Sequence, residues 1–474
     1  RLHKPSDGVG HGRISAIFCP GRSAVIGKIE DQNAPARGQT ARHPGPVLDP
    51  LHEEIHSFVK EKVERRAPPV DALSEEEAAS VLLRGPITYE TGGVDCVVAP
   101  FRRGCVSLPD NVGSCPFAES LGDEYISELF EGFEERMLRS KEDFDMLEKN
   151  QPPVEPYLDE VFKNIPREYF GFVADLNDRG LLYWTQNSKE RVTVFFVRKK
   201  SGKLRLVIDA RRPNRRFAPP PGVDLCSTEA LGKIEFELAE QEARDKQDLG
   251  IFFGGTDVKD CFYCYRWRKE LAEYFCLPPV PVKKVRNWKG VDTTGMSDDD
   301  LIYPCFGALP MGFSWSLYLV QYINTNIIDK LPCFKGRVGM TDRGDPTVLR
   351  KDDPDPHHHT YVDNVGVMGM SGDAVASGVD DTTVAFESVG LETHESFTRA
   401  GECEALGTFL DGKQARAMLT EKRYWRLDKC LSWALRRRYL SGSMVERIIG
   451  HCTFAGLIQR KSLAVFHSVY AFIH

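Results

Sequence analysis

Two aspartates, Asp257 and Asp363, are the residues best placed for chemistry in this chain. Asp257 follows the apolar run "LGIFFGG", and Asp363 sits inside "HHHTYVDNVGVMGM", between two short β-friendly runs. Carboxylates delivered by neighbouring strands of one sheet can hold a pair of Mg²⁺ ions roughly 3.5–4 Å apart. Such a pair acidifies an attacking hydroxyl and stabilises the oxygens of an in-line phosphoryl transfer. Neither acid is specific alone, because a strand-end Asp is commonly a turn-former or cap. Phe262, five residues after Asp257, is a ring that can floor a sugar pocket or simply join the core.

The elements that must position these residues are legible as periodicities. Val192–Val197 and Leu204–Ile208 flank Ser201-Gly202, which reads as a hairpin. "LGIFFGGTDVKDCFYCYRW" reads as a strand with Asp257 at or near its end, and "GFSWSLYLVQYINTNIIDKL" has helical spacing. "TYVDNVGVMG" reads as a second hairpin with Asp363-Asn364 as its two-residue tip. "GDAVASGVDDTTVAFESVGL" is helical and "ECEALGTFLDG" strand-like. This order predicts an α+β domain with an antiparallel sheet. Residues 1–115 read as low-complexity or disordered, apart from a short capped helix in "PVDALSEEEAASVLL". Residues 116–190 form a helical lead-in, 191–412 hold the motifs, and 413–474 are a helical tail that stops mid-pattern.

The 474 residues are 41% hydrophobic and 28% charged, which is ordinary for a globular protein. No apolar run reaches the roughly 18 residues of a membrane span, and the start "RLHKPSDGVG" is no signal peptide. The expectation is an intracellular protein, cytoplasmic or nuclear, cut from a longer product. Thirteen cysteines without paired spacing point to free thiols. Cys261 and Cys264 have CxxC form but lie in a strand-like aromatic run, and Cys96, Cys105 and Cys115 make a loose trio without a nearby His. His357, His358 and His359 read as a solvated loop entering the next strand.

The net charge of −7 does not suggest a polyanion partner, but its distribution does. Arg191 to Phe217 holds ten basic residues against one acid, and Lys413 to Lys461 holds twelve against three. Two such blocks suit a groove for nucleic acid, although charge alone is equally served by two solvated faces.

The motifs, taken in order, resemble those of retroelement reverse transcriptases of the retrotransposon and retroviral type. "Val207-Ile208-Asp209-Ala210-Arg211-Arg212-Pro213-Asn214" is similar to the family's VIDxRxxN fingers strand, and "Thr256-Asp257-Val258-Lys259-Asp260-Cys261-Phe262" to its first palm motif. "Leu309-Pro310-Met311-Gly312" with Ser316 and Gln321 resembles LPxG followed by Ser and Gln. "Tyr361-Val362-Asp363-Asn364" stands where the family writes YxDD, and "Leu406-Gly407-Thr408-Phe409-Leu410" resembles the strand that grips the primer end. The resemblance implies a right-hand polymerase fold with an antiparallel palm sheet, a basic fingers hairpin and a helical thumb. It implies an RNA-directed DNA polymerase using two Mg²⁺ ions, with Mn²⁺ as a substitute, on an RNA or DNA template with primer and a dNTP. Asp257, the Val258 carbonyl, Asp363 and Asn364 would be the metal ligands, and Phe262 would exclude a ribose 2′-hydroxyl. Lys199 (or Lys200, if the hairpin is offset) and Arg205 would hold the triphosphate, with Met311 and Gly312 lining the nucleotide pocket. Gly312 would let backbone approach the ligand. Leu406, Gly407 and the Arg436, Arg437 and Arg438 run would contact primer and template.

Three departures stand out. Asn364 replaces the second Asp, and an amide oxygen is a neutral, weaker ligand for a hard cation. No Lys lies between Ser371 and Gly412, where the family has a general acid for pyrophosphate; Arg399 and His394 are the basic residues there. Leu317 replaces the usual Pro. No RNase H, protease or integrase pattern appears. These departures motivate a second hypothesis, a palm that kept its nucleic-acid groove and lost its chemistry. An RNA-copying RNA polymerase is disfavoured by Phe262.

Overall fold

Apolar alternation builds the basic hairpin first. The computed structural model describes residues 73–84, 98–199, 201–237, 250–467 and 469–470, all within the unit Pro68–His474. Lys200 and Cys96 lie outside the described residues, as does most of the chain before residue 98. Strands β3 (Thr193–Arg198) and β4 (Leu204–Asp209) pair antiparallel from Thr193↔Asp209 to Arg198↔Leu204. Leu204, Leu206 and Ile208 are buried while Arg205 between them is exposed, the period-2 signature of a half-buried strand. Residues 98–115 carry no motif, yet they complete this layer. Strand β1 (Val98–Ala99) adds to β3, and the Ser107 N–H donates to the Leu204 carbonyl at 2.7 Å. Phe101 packs on Phe162, Phe172 and Phe196 at centroid distances of 4.7–5.8 Å. Phe172 comes from α4 (Pro166–Asp178), which follows α2 (Glu124–Glu131) and α3 (Lys141–Asn150) in the chain.

After α5 (Arg211–Arg216) and α6 (Thr228–Gly232), β6 (Phe252–Val258) enters a four-stranded sheet ordered β10-β11-β6-β12, antiparallel throughout. Strands β10 (His357–Tyr361) and β11 (Asn364–Gly369) form the second hairpin, and β12 (Thr393–Ala400) is the edge strand beside β6. Helices α8 (Ser314–Ile328) and α9 (Gly372–Ser388) cover one face. The fit of α9 is close: a Cβ on Gly254 of β6 would come within 2.7 Å of Val379 and 3.0 Å of Val375. Between β6 and α8 the chain forms the helical turn α7 (Cys261–Cys264) and the strands β7 (Val280–Pro281) and β8 (Leu301–Phe306), and β8 pairs with β7 and with the earlier β2 (Leu182–Thr185) in a three-stranded sheet. Strands β5 (Glu235–Glu237) and β9 (Val348–Arg350) make a small parallel pair.

Four expectations change. The tip of the second hairpin is Val362-Asp363, because Tyr361 pairs with Asn364, so Asn364 is the first residue of β11. His357–His359 are strand residues with His358 and His359 buried, not a solvated loop. The CxxC segment is a helical turn rather than a strand. "ECEALGTFLDG" splits into β13 (Glu402–Ala405) and β14 (Thr408–Asp411), which join β15 (Arg416–Leu419) in a further antiparallel sheet. The turn between β13 and β14 is Leu406-Gly407, both left-handed at φ 51° and 77°.

The C-terminal helices α10 (Glu421–Leu435) and α11 (Gly442–Leu457) bury Cys430, Ile448 and Cys452 against Ala79, Leu82 and Leu83 of the capped helix α1 (Glu75–Arg84). Ser74 and Glu77 form a reciprocal capping box at its start, with bonds of 2.9 and 3.3 Å. No helix among the described residues is long and apolar enough to cross a membrane. The cysteines among them are free thiols.

Candidate active site

The turn carrying Asp363 is strained and held from behind. Val362 adopts φ 57°, a left-handed conformation that a β-branched residue rarely takes and that costs roughly 1–3 kcal/mol. Two side chains of α8 hold it there. The Val362 N–H donates to Gln321 Oε1 at 2.7 Å, and Gln321 Nε2 donates to the Thr360 carbonyl at 2.9 Å. Asn324 Nδ2 donates to the Val362 carbonyl at 2.7 Å, and its oxygen accepts from Tyr265 OH. Gln321 and Asn324 lie three residues apart, so they share one helix face. Both are buried, and in that setting each unmade bond would cost about 1–3 kcal/mol.

This turn lies directly on the strand that carries Asp257. The Val258 N–H donates to the Asp363 carbonyl at 2.9 Å, and Asn364 stands opposite Asp257 in the β11–β6 register. Both carboxylates act on Cys261 at the start of α7: burial pushes its thiol up, and the Asp363 and Asp257 charges push it further. Asn364 Nδ2 donates to Asp363 Oδ1 at 3.1 Å. On the other side His394 of β12 faces Asp257, with Nε2 4.0 Å from Oδ2. Of the two basic residues in the stretch without Lys, His394 is therefore beside the acids. Arg399 is instead engaged by Asp373 at 3.0 Å.

The open face of the sheet forms a cavity of about 300 Å³ running from Asp257 and Asn364 past His359 to Leu406 and Leu410. Gly255 and Gly366 floor it, and a Cβ on Gly366 would sit 2.1 Å from the His359 ring. Burial holds His359 down to about 4, and burial with the Arg337 charge does the same to His357.

Lys199 and Arg205 lie within electrostatic reach of α7 and of Asp260 at its start. Lys199 donates to Ser107 Oγ at 2.8 Å, and burial followed by the Arg205 charge lowers its pKa, with Asp260 opposing. Asp260 is left-handed at φ 51° and starts α7, in which Phe262 is the residue left partly exposed between buried Cys261 and Tyr263. Gly312 has a different necessity from ligand approach. At φ 112° its Cβ would lie 2.3 Å from the Ile208 carbonyl oxygen, and the Met311 carbonyl accepts from the Ile208 N–H at 3.0 Å. Asn214 completes this junction: its Nδ2 donates to the Gly312 carbonyl and its Oδ1 accepts from the Ser314 N–H, each at 2.9 Å.

The basic blocks divide. Arg211 grips Asp209 through two bonds of 2.7 Å, Arg215 bonds Glu148 at 2.9 Å, and Arg212 and Arg216 share buried Glu190. Burial raises Asp209, but the bonds from Arg211 and the Tyr157 N–H outweigh it and hold the carboxyl low. In the C-terminal block Arg423 packs on Gly407, at 3.0 Å from where a Cβ would stand. Arg436, Arg437 and Arg438 follow the end of α10 in an exposed turn, where Arg436 pairs with Glu75 at 2.9 Å, Arg437 covers Trp433 and Arg438 covers Tyr439.

Asn324 and the clamping role of Asn214 escaped sequence reading. The available signal was a polar residue recurring on the buried face of an otherwise apolar helix, Gln321 then Asn324.

No family model and no curated protein matches the chain. Among solved structures, a foamy viral protease-reverse transcriptase in complex with double-stranded DNA is similar at TM-score 0.42 and 14% identity, over 75% of this chain and 54% of that one. A second structure of that protein with double-stranded DNA gives TM-score 0.42 and 13% identity over 82% of this chain and 64% of that one. A mutant of the Prototype Foamy Virus protein gives 0.35 and 15%, over 57% and 28%. The chain thus spans between about a quarter and two thirds of the length of these structures.

Proposed function

We propose that the chain is an RNA-directed DNA polymerase of reverse-transcriptase type that joins a primer 3′-hydroxyl to the α-phosphate of a dNTP. One observation carries the reading: the 2.9 Å bond from the Val258 N–H to the Asp363 carbonyl, which makes backbone neighbours of two acids over a hundred positions apart. The donor set suits a hard divalent cation, since Asp257, Asp363 and the Val258 carbonyl all offer oxygen. Among the described residues no group of three or more His, Cys, Asp or Glu gathers for a metal. Two carboxylates with substrate phosphates and water are a usual Mg²⁺ shell. When bound, two such ions would acidify the primer hydroxyl and neutralise charge on the phosphates. Asn364 donates to Asp363, so in this reading it orients that carboxylate rather than binding the ion. Arg205 and Lys199 grip the triphosphate, Phe262 floors the sugar site, and the Leu406-Gly407 turn and Arg436–Arg438 lie along primer and template.

Primer extension on poly(rA)/oligo(dT) with Mg²⁺ or Mn²⁺ tests the proposal. The expected result is incorporation of dTTP and rejection of UTP. Template–primer binding without incorporation under either metal would sink it and leave the second reading, a groove without chemistry, which the amide at position 364 favours. In that event Asn364→Asp should awaken a silent parent.

A further inference from the structure

We propose that Cys276 and Cys305 are a disulfide site, two thiols on adjacent strands that a small disulfide such as oxidised glutathione closes to a cross-strand bond. They face each other across an antiparallel bridge between residues 275–277 and β8. The Leu277 N–H donates to the Pro304 carbonyl at 2.8 Å, and the Phe306 N–H to the Phe275 carbonyl at 3.0 Å. These bonds flank the cysteines on both sides. Cys276 and Cys305 are therefore a non-hydrogen-bonded pair, the closer kind, in which Cα atoms stand about 4.5 Å apart. A disulfide accepts Cα separations of roughly 4.4–6.8 Å, so the backbone need not move. The side chains already converge: their sulfurs lie 2.9 Å apart and must close by roughly 0.9 Å to reach the about 2.05 Å of a bond.

Cys276 is also fixed from its other edge. Its N–H donates to the Glu190 carbonyl at 3.3 Å, and its carbonyl accepts from the Val192 N–H at 2.8 Å. Both cysteines are fully buried, as are the flanking Phe275, Leu277 and Phe306. Each sulfur has a main-chain acceptor as well, Glu273 at 3.3 Å for Cys276 and Tyr303 at 3.6 Å for Cys305, so the dithiol is a satisfied state too. The contact with Cys276, then burial, pushes the Cys305 thiol up and keeps it protonated in the closed fold. The CxxC cysteines are placed differently, on one short helical turn, where Cys264 Sγ donates to the Lys259 carbonyl at 3.5 Å.

Because the pair is sealed, exchange requires the bridge to open locally. One cysteine then loses its proton to solvent and attacks a sulfur of oxidised glutathione. The glutathione S–S bond breaks, and one glutathione leaves as a thiolate that takes up a proton. The second cysteine, deprotonated in turn, attacks the protein sulfur of the mixed disulfide; the protein S–S bond forms and the second glutathione leaves. Two protein thiols lose two electrons, and one glutathione disulfide becomes two thiols. The closed bond ties β8, which runs on to Met311 and Gly312, to the segment that braces Val192 ahead of the basic hairpin.

The test uses the folded full chain and needs no polymerase activity, so it stands or falls apart from the preceding proposal. The chain is incubated with oxidised glutathione in urea below its unfolding transition, then alkylated and mapped by mass spectrometry. A Cys276–Cys305 linked peptide, two hydrogens lighter than the two thiol peptides, should form ahead of any other pair. Once formed, the bond should resist dithiothreitol in buffer and be reduced roughly tenfold faster or more in denaturing urea, since the reductant must wait for the same opening. Cys305→Ser should stop at a glutathione adduct on Cys276, and Cys276→Ser at one on Cys305; should either variant fail to fold, the map of the unmodified chain decides alone. Recovery of both cysteines as free thiols at every urea concentration, a different pair closing first, or a bond reduced as fast without urea as with it, would overturn the assignment.

Discussion

The turn at Asp363 and the arginines of α5 look equally functional in the sequence, one as a motif and the other as a charge run, yet the fold treats them in opposite ways. Gln321 and Asn324 spend their buried hydrogen bonds holding a strained backbone whose acidic side chain remains partly exposed. Arg211, Arg212, Arg215 and Arg216 spend their charges on Asp209, Glu190 and Glu148. The first arrangement aims a group outward at a cost; the second satisfies groups internally. Positive charge available to a polyanion from the first basic block therefore lies in the hairpin around Arg205, not in α5. The two regions should also differ in what disturbs them, pH and buried bonds for one, salt for the other.

Breaking the outward-aimed group should have the largest effect. Asp363→Ala and Asp257→Ala should each lower primer extension by roughly a thousandfold or more, the loss of several kcal/mol of charge stabilisation. Template–primer affinity should change little, and extension at the parent rate would remove the two-metal reading. Next is the clamp. Gln321→Ala strips partners from the Val362 N–H and the Thr360 carbonyl, and should cost roughly 2–4 kcal/mol in urea unfolding. Extension should fall with it, since a turn free to relax from φ 57° no longer aims Asp363. A fully stable, fully active variant would show that the clamp does not matter.

Much of this was readable before folding, and the misses have physical causes. Both hairpins, the Asp257 strand and helix α8 follow from periodicity, which survives any tertiary context that keeps one face buried. The tip was misplaced by one residue because Val is the last residue expected at positive φ; only the clamp from α8 makes it tolerable. Strand β12 was missed because "THESFTRA" has no apolar alternation and carries left-handed Glu395 and Arg399, where its register with β6 slips. The fate of the α5 arginines was hidden because Glu148 and Glu190 are remote in sequence and a local charge count cannot see them.

Acid should expose the hairpin next. His359 titrates at about 4 in the folded protein against an ordinary 6.5, so it stays neutral while the unfolded chain takes up protons. Stability is complete above 6.5 and falls as pH drops from there to about 4, by at most roughly 3 kcal/mol. Urea titrations of the parent and His359→Gln across that range should converge at low pH; a parent curve flat from 6.5 to 4 would refute the buried neutral imidazole. The basic block gives the salt counterpart. Arg205→Ala should weaken nucleic-acid or dNTP binding and reduce the salt slope by about one, whereas Arg215→Ala should leave that slope unchanged. Equal slopes for the two variants would erase the division within the block.

The smallest effect belongs to Arg436, where the two modes of use meet in one side chain. It is largely exposed, in the turn proposed to meet template and primer, yet it already pairs with Glu75 of α1 at 2.9 Å. An exposed pair of this kind is worth about 0.2–1 kcal/mol, so phosphate can compete for the guanidinium. Glu75→Gln should therefore tighten template–primer binding by about twofold at low salt, with the gain vanishing as salt rises. Arg436→Ala should loosen binding by a similar factor and make Glu75→Gln silent in the double variant. The Ser74–Glu77 capping box is untouched by either change, so α1 should keep its fold and the thermal midpoint should barely move. If Glu75→Gln leaves binding unchanged at every salt concentration, Arg436 belongs with the internally satisfied arginines of α5, and the nucleic-acid face must be sought at Arg437 and Arg438.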